Sequence, residues 1–467
     1  MLAALGFCAP AARGAWTAPA TVSSAHDAIG RIQIASGPAG DLLAWQYNEL
    51  LPPAREVFGP AGAAEVVAGA SGQFGPEVVL PASYATGSLV GLGSGLSGGP
   101  VARLILRRTG VNTAEPQVAL GSVDGIFAAP VKIRASVWVS HASLAGNLSG
   151  ELLLAWITSL PSGRRQVWVS ARPAGGRFTK PQLISSSADA QQVRAAIGAP
   201  AHRAGRSGFA ADMVVAFPSK RGRMLASVRL HGGGWGPVQD VGAAAVGNNN
   251  GIALNIARSG RVVLAWQHQQ LSEGGPLGPG VTQVAVVPAG AHSFMRAQTL
   301  ERDPNASLAG SPALASDDGR GLLLAFIAQP GVPVQGFTPS VVRVAYGHGN
   351  RFSAPQTISP SGQQVSGLAA AEGPNGDIVT WSGGPNSPFS ALAPAPAIYA
   401  AISGPLAVNL GRAQQVTPNE QAELAAPAYS PAGQRWIVAW RGHPQYESPK
   451  SPGAAFVRVT ACPGACQ

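Results

Sequence analysis

The sequence predicts an all-β protein built as a ring of repeated four-stranded sheets. Three observations lead there. First, one short apolar strand keeps returning. Residues 260–267 read Gly-Arg-Val-Val-Leu-Ala-Trp-Gln, and close copies end at Trp45, Trp156, Phe217, Phe326, Trp381 and Trp440. A degraded copy, Ala-Arg-Leu-Ile-Leu-Arg, ends at Arg107 and fills the one wide gap. Second, an aromatic-x-x-Pro motif recurs out of phase with the first, at Trp16, Phe127, Phe178 and Phe352, in shortened form at Phe74 and Trp235, and without its proline at Phe294. Third, helical patterning is nearly absent, while 60 Gly and 40 Pro punctuate the apolar runs as turns. A repeat of roughly 50 to 60 residues means a solenoid, a propeller or an array.

Each unit resolves into four strands. A weak strand of small residues comes first, over 31–36, 88–93, 136–141, 194–199, 252–258, 311–316, 367–372 and 425–430. The aliphatic-Ala-aromatic strand follows. An alternating strand is third, over 65–70, 116–121, 165–171, 224–230, 282–288, 341–347, 397–403 and 456–461. The proline-bearing motif reads as the outermost strand, because proline cannot donate to a ladder and discourages pairing with other molecules. Small residues suit the crowded axis, and Trp or Phe fills the wedge between sheets. This is the pattern of a β-propeller.

Eight core strands predict eight blades; seven blades plus an irregular hairpin is the alternative, since Arg107 stands where the others have an aromatic. Residues 16–22 form an outer strand with no blade ahead of them, and the last unit stops at its third strand. The N-terminal strand is therefore expected to complete the last blade and close the ring. The expected organisation is a leader over 1–13, one propeller over 14–461 and a Cys-containing tail over 462–467.

Loop lengths break the symmetry. First-to-second and third-to-fourth turns share one face and are short and Gly-rich. Second-to-third and fourth-to-first loops share the other face and are long, as at 46–64, 267–281, 327–340, 382–396 and 441–454. Long loops persist where they do something. The candidate ligand-binding residues on that face are Glu49, Arg55, Glu56, His268, Glu273, His443, Tyr446 and Glu447.

Composition excludes several classes. The net charge is +10, mostly arginine, but the cations are scattered, without the basic, aromatic-interleaved stripe of a nucleic-acid surface. No apolar run of 18 residues suggests a membrane helix. The eight histidines show no metal-ligand spacing, the Gly-rich run 91–99 lacks the Lys of a phosphate loop, and no cofactor is expected. Cys462 and Cys466 flank a Pro-Gly turn and are expected to close a small disulfide loop in an oxidising compartment. Residues 1–11, apolar with Ala-Pro-Ala at 9–11, read as the remnant of an export signal, so an extracellular or cell-surface monomer is expected. Asn147-Leu-Ser149 and Asn305-Ala-Ser307 fit the glycosylation acceptor pattern.

The repeated strands resemble those of bacterial secreted β-propellers of the sialidase-like, BNR-repeat type. That resemblance implies the architecture. It also implies, for the catalytic members, Asp-boxes, three arginines on a substrate carboxylate, an Asp acid and a Tyr–Glu pair. Here Ser316-Asp-Asp-Gly319 is the nearest to an Asp-box but lacks the following aromatic, and Tyr446 and Glu447 are adjacent, pointing to opposite sides of an extended segment. The expected function is a binding or scaffolding module for a glycan or a protein, with a sialidase-like glycoside hydrolase as the alternative.

Overall fold

A computed structural model describes residues 15–26, 28–48, 61–69, 73–80, 89–90, 101–108, 114–133, 138–147, 149–186, 189–198, 211–244, 251–257, 259–269, 279–303, 311–316, 321–330, 339–374, 376–385, 396–404, 409–417, 421–443 and 455–463. These residues form eight antiparallel sheets, seven of them meanders of consecutive strands and the eighth three C-terminal strands completed by the N-terminal one. The second strands are Gly40–Asn48, Val101–Arg108, Leu152–Ser159, Ala211–Pro218, Val262–Gln269, Leu322–Ala328, Gly376–Pro385 and Arg435–His443. Inner strands of successive blades touch through most of the ring, blade 3's touches blade 2's second strand, and the inner strand of blade 8 touches that of blade 1. The molecule is a closed eight-bladed β-propeller.

Its core is a set of wedges between neighbouring sheets rather than one central mass. Trp45 packs in the wedge between blades 8 and 1, Trp156 between 2 and 3, Phe217 between 3 and 4, and Trp266 between 4 and 5. Phe326, Trp381 and Trp440 continue the series. Each aromatic thus faces the preceding blade, and all seven are at most 2% exposed.

The register corrects the reading of blade 2. In blade 3, Leu152 opposes Arg172 and Trp156 lies four residues on. In blade 2, Val101 opposes Gly121, so the equivalent of Trp156 is Ile105, while Arg107 lies two residues beyond and is exposed. Sliding the copy by two places Arg103 where the other blades carry Leu or Val. Arg103 is 4% exposed and pairs with Glu65 of blade 1, also 4% exposed; its guanidinium lies 4.0 Å from the Phe127 ring centre. Among the described residues, the apolar cluster in the wedge between blades 1 and 2 is small, with Ala35, Leu42, Val101 and Val123 buried in it. An ion pair occupies the space that aliphatics fill elsewhere.

Ring closure follows the sequence reading. Ala20 opposes Val459 and Thr21 opposes Arg458. Thr17 N donates to Ala461 O (2.9 Å), Val22 N to Val457 O (2.9 Å), and His26 and Ala455 exchange two backbone bonds (3.0 and 2.8 Å). Between blades 8 and 1, Ser430 Oγ donates to Asp41 Oδ2 (2.8 Å), and an Arg441 nitrogen donates to Ile29 O (2.9 Å).

Three details differ from expectation. The aromatic-x-x-Pro motif straddles the third-to-fourth hairpin: Phe74, Phe127 and Trp235 bridge back to the third strand, and the outer strand begins only after the proline. The inner strand of blade 3 is Val139–Gly146 rather than 136–141. The turn face is also uneven, because the first-to-second connections of blades 2 and 4 run from Val90 to Val101 and from Ile197 to Ala211.

Candidate functional site

The long-loop face is built from the C-terminal ends of the second strands and the N-terminal ends of the inner strands. Glu49, Arg55, Glu56, Glu273, Tyr446 and Glu447 lie outside the described residues, as does Cys466. His443 ends the second strand of blade 8. Cys462 is buried and disulfide-bonded, its partner lying outside the described residues.

His268 sits on the second strand of blade 5, opposite Val281, which in turn opposes Arg302. It is 2% exposed, so its ring is packed within the sheet sandwich rather than presented at a loop mouth. Nε2 lies 3.3 Å from Gln283 Oε1, and burial, with Arg302 nearby, holds the imidazole below its usual pKa.

Acidic groups near this face tie blades or strands together. Glu301 of blade 5 pairs with Arg343 of blade 6, and burial raises its carboxyl above the ordinary range. Asp303 Oδ2 accepts from Gln329 N at 2.7 Å. Glu423 pairs with Arg441 across blade 8. Asp189 Oδ1 accepts from Arg165 N at 3.1 Å, and Glu77 holds His26 Nε2 at 3.0 Å while His26 stacks on Tyr47. Among the described residues no cluster of His, Cys, Asp or Glu is arranged to hold a metal ion.

Bulges reshape the axial mouth. In blade 7, Gly367 and Leu368 together oppose Trp381; in blade 8, Leu424 and Ala425 together oppose Trp440; in blade 1, Gly30 and Arg31 oppose Gln46. Three consecutive blades therefore bend their inner strands at the same end, a device that re-aims side chains at rims. Gly367 takes φ +61° at no steric cost, whereas Leu424 takes φ +56°, a conformation a leucine adopts only under constraint.

One aromatic stands out on this face. Of ten tryptophans, Trp138 alone is exposed, at 46%. It precedes the inner strand of blade 3, and its carbonyl accepts from Ser159 N (3.0 Å), which fixes it at the long-loop end. Beside it the second-to-third links of blades 3 and 4 are tight turns over 160–164 and 219–222, so the rim is low there. Sequence reading passed over Trp138; the available signal was a tryptophan outside both repeating motifs.

Asn147 does not fit a glycan acceptor. It is 5% exposed, and its amide nitrogen donates to Glu151 Oε2 (2.6 Å) and Gly198 O (2.7 Å).

No family model matches the chain, and no curated protein does so. Solved structures with related folds include a protein of unknown function from Dyadobacter fermentans, at 10% identity and TM-score 0.44, covering 96% of this chain and 99% of that one. A structure of NanB plus Optactamide aligns at 9% identity and TM-score 0.40 over 95% of this chain and 69% of that one. The β-propeller domain of the Trilobed protease from Pyrococcus furiosus aligns at 10% identity and TM-score 0.39, over 84% and 99%. These likenesses concern the fold and bring no activity with them.

Proposed function

We propose that this propeller is a binding module whose long-loop face takes a glycan or an extended protein segment. The observation that supports this reading is Trp138. A rigid, half-exposed indole beside a low rim is a stacking platform for a sugar ring or an apolar side chain, and tryptophan is among the residues that most often dominate recognition. The described acids argue against a glycoside hydrolase, which needs two carboxyls free to act across a substrate. Here Glu301, Asp303, Glu423, Asp189 and Glu77 are engaged in holding strands and blades. We further propose that the protein works outside the cell as a monomer.

The test is a glycan array probed with the purified protein, followed by calorimetry on any hit with Trp138→Ala. A ligand that loses affinity in the variant supports the reading. Hydrolysis of reporter glycosides by the unmodified protein, or a ligand indifferent to Trp138, refutes it.

A further inference from the structure

Between the outer parts of blades 2 and 3 lies a groove of about 440 Å³, the size of a small ligand site. Its floor is apolar, from Val118, Leu120, Val131, Ile133, Phe178 and Pro181. Its remaining walls bring together Lys132, Arg172, Arg177 and Lys180, and none of the twelve lining residues is acidic. The side chains differ in how they are engaged. Lys132 pairs with Glu115, and Arg172 donates to Gly150 O at 3.0 Å. Arg177 and Lys180 are exposed and make no hydrogen bond or ion pair among the described residues. Val131, 50% exposed, leaves part of the apolar floor open to water.

We propose that this groove is a second binding site, distinct from the long-loop face, and that it takes an extended acidic peptide segment with one or two apolar anchors. The charge pattern selects this occupant. A purely apolar segment would leave Arg177 and Lys180 unanswered, and a polyanion without apolar groups would leave the floor bare. An acidic segment with a Leu or Phe satisfies both at once. The blade 2 outer strand, Val131–Lys132, adds a backbone edge beside the floor: Ile133 N bonds inward to Pro116 O, so the alternation of an antiparallel ladder turns the Lys132 amide outward.

The test is fluorescence anisotropy with a fluorescein-labelled heptapeptide in which Asp alternates with Leu and Phe, with polyaspartate and heparin as comparison probes. Arg177→Glu/Lys180→Glu is expected to weaken the peptide by roughly tenfold or more at low salt, as reversing two rim charges implies. Because both side chains are exposed, an unchanged circular dichroism spectrum and melting curve are expected for the variant. Raising the salt concentration should weaken the peptide without abolishing its binding, since the anchors remain. Polyaspartate or heparin binding as tightly as the peptide, or a double variant that binds the peptide normally, would overturn the proposal. So would failure of the peptide to bind. Loss of Trp138 should leave this site intact, which separates it from the long-loop face.

Discussion

Arg103 on the second strand of blade 2 reaches across the wedge to the carboxylate of Glu65 on the third strand of blade 1. Both ends are buried, and Phe127 covers the guanidinium. Elsewhere this position is aliphatic. A buried pair costs desolvation at both ends, so its removal as a unit differs from its disruption.

Arg103→Met alone is expected to destabilise by about 3–5 kcal/mol, because it strands a buried carboxylate. Arg103→Met with Glu65→Leu should recover most of that loss, the two apolar groups extending the wedge. Urea unfolding of the three proteins checks this; a double variant as weak as the single one would contradict it.

Burial raises the carboxyls of Glu65, Asp41 and Glu301 above their usual range. A carboxyl with a raised folded pKa contributes stability that is complete below its unfolded pKa and is lost as pH rises through the folded one. Melting temperature is therefore expected to fall as pH rises from mildly acidic to neutral. Glu65→Gln should flatten part of that slope. Glu115, held below its usual range by Lys132, acts the other way and matters only at lower pH. A melting temperature that rises steadily towards neutrality would count against these assignments.

The wedge tryptophans should not respond alike to Phe. Trp266 Nε1 donates to Ala243 O at 2.8 Å, whereas the buried indole nitrogens of Trp156 and Trp381 have no partner among the described residues. Phe217 and Phe326 already occupy the same place in blades 4 and 6. Trp156→Phe and Trp381→Phe are expected to cost under about 1.5 kcal/mol. Trp266→Phe should cost about 1–3 kcal/mol more, for the carbonyl it leaves unanswered. Chemical denaturation ranks the three.

Removing residues 1–26 deletes the strand that completes blade 8. At about 1 kcal/mol net per hydrogen bond, the seam from Thr17 to His26 is worth on the order of 5 kcal/mol. Hydrogen exchange should then show blade 8 opening ahead of the rest. Uniform protection across all blades would refute this.

The blades, their number and their closure were legible because they rest on period-two patterning and on a wedge aromatic that neighbouring sheets demand. Blade 2 misled, because its copy lacks the aromatic and only the hydrogen-bond register reveals that Ile105, not Arg107, fills the place. The site was far less legible. His268 looked like a rim residue because it follows the core strand, yet the strand runs two residues further and buries it. Trp138 belongs to no motif, so periodicity says nothing of it. The cations appeared dispersed because Lys132 and Lys180 are far apart in sequence; the meander carries blade 2's edge to blade 3's hairpin and gathers them.

Pairing of Ala20 with Val459 also orders events during synthesis. Ala20 and Thr21 have no strand partner until Arg458 and Val459 have been made, more than four hundred residues later. Until then the nascent molecule is an arc, and the apolar face that Leu43 and Trp45 turn towards blade 8 is bare. A chain interrupted before residue 456 lacks the third strand of blade 8 and leaves that apolar face exposed, the kind of surface through which incomplete chains aggregate.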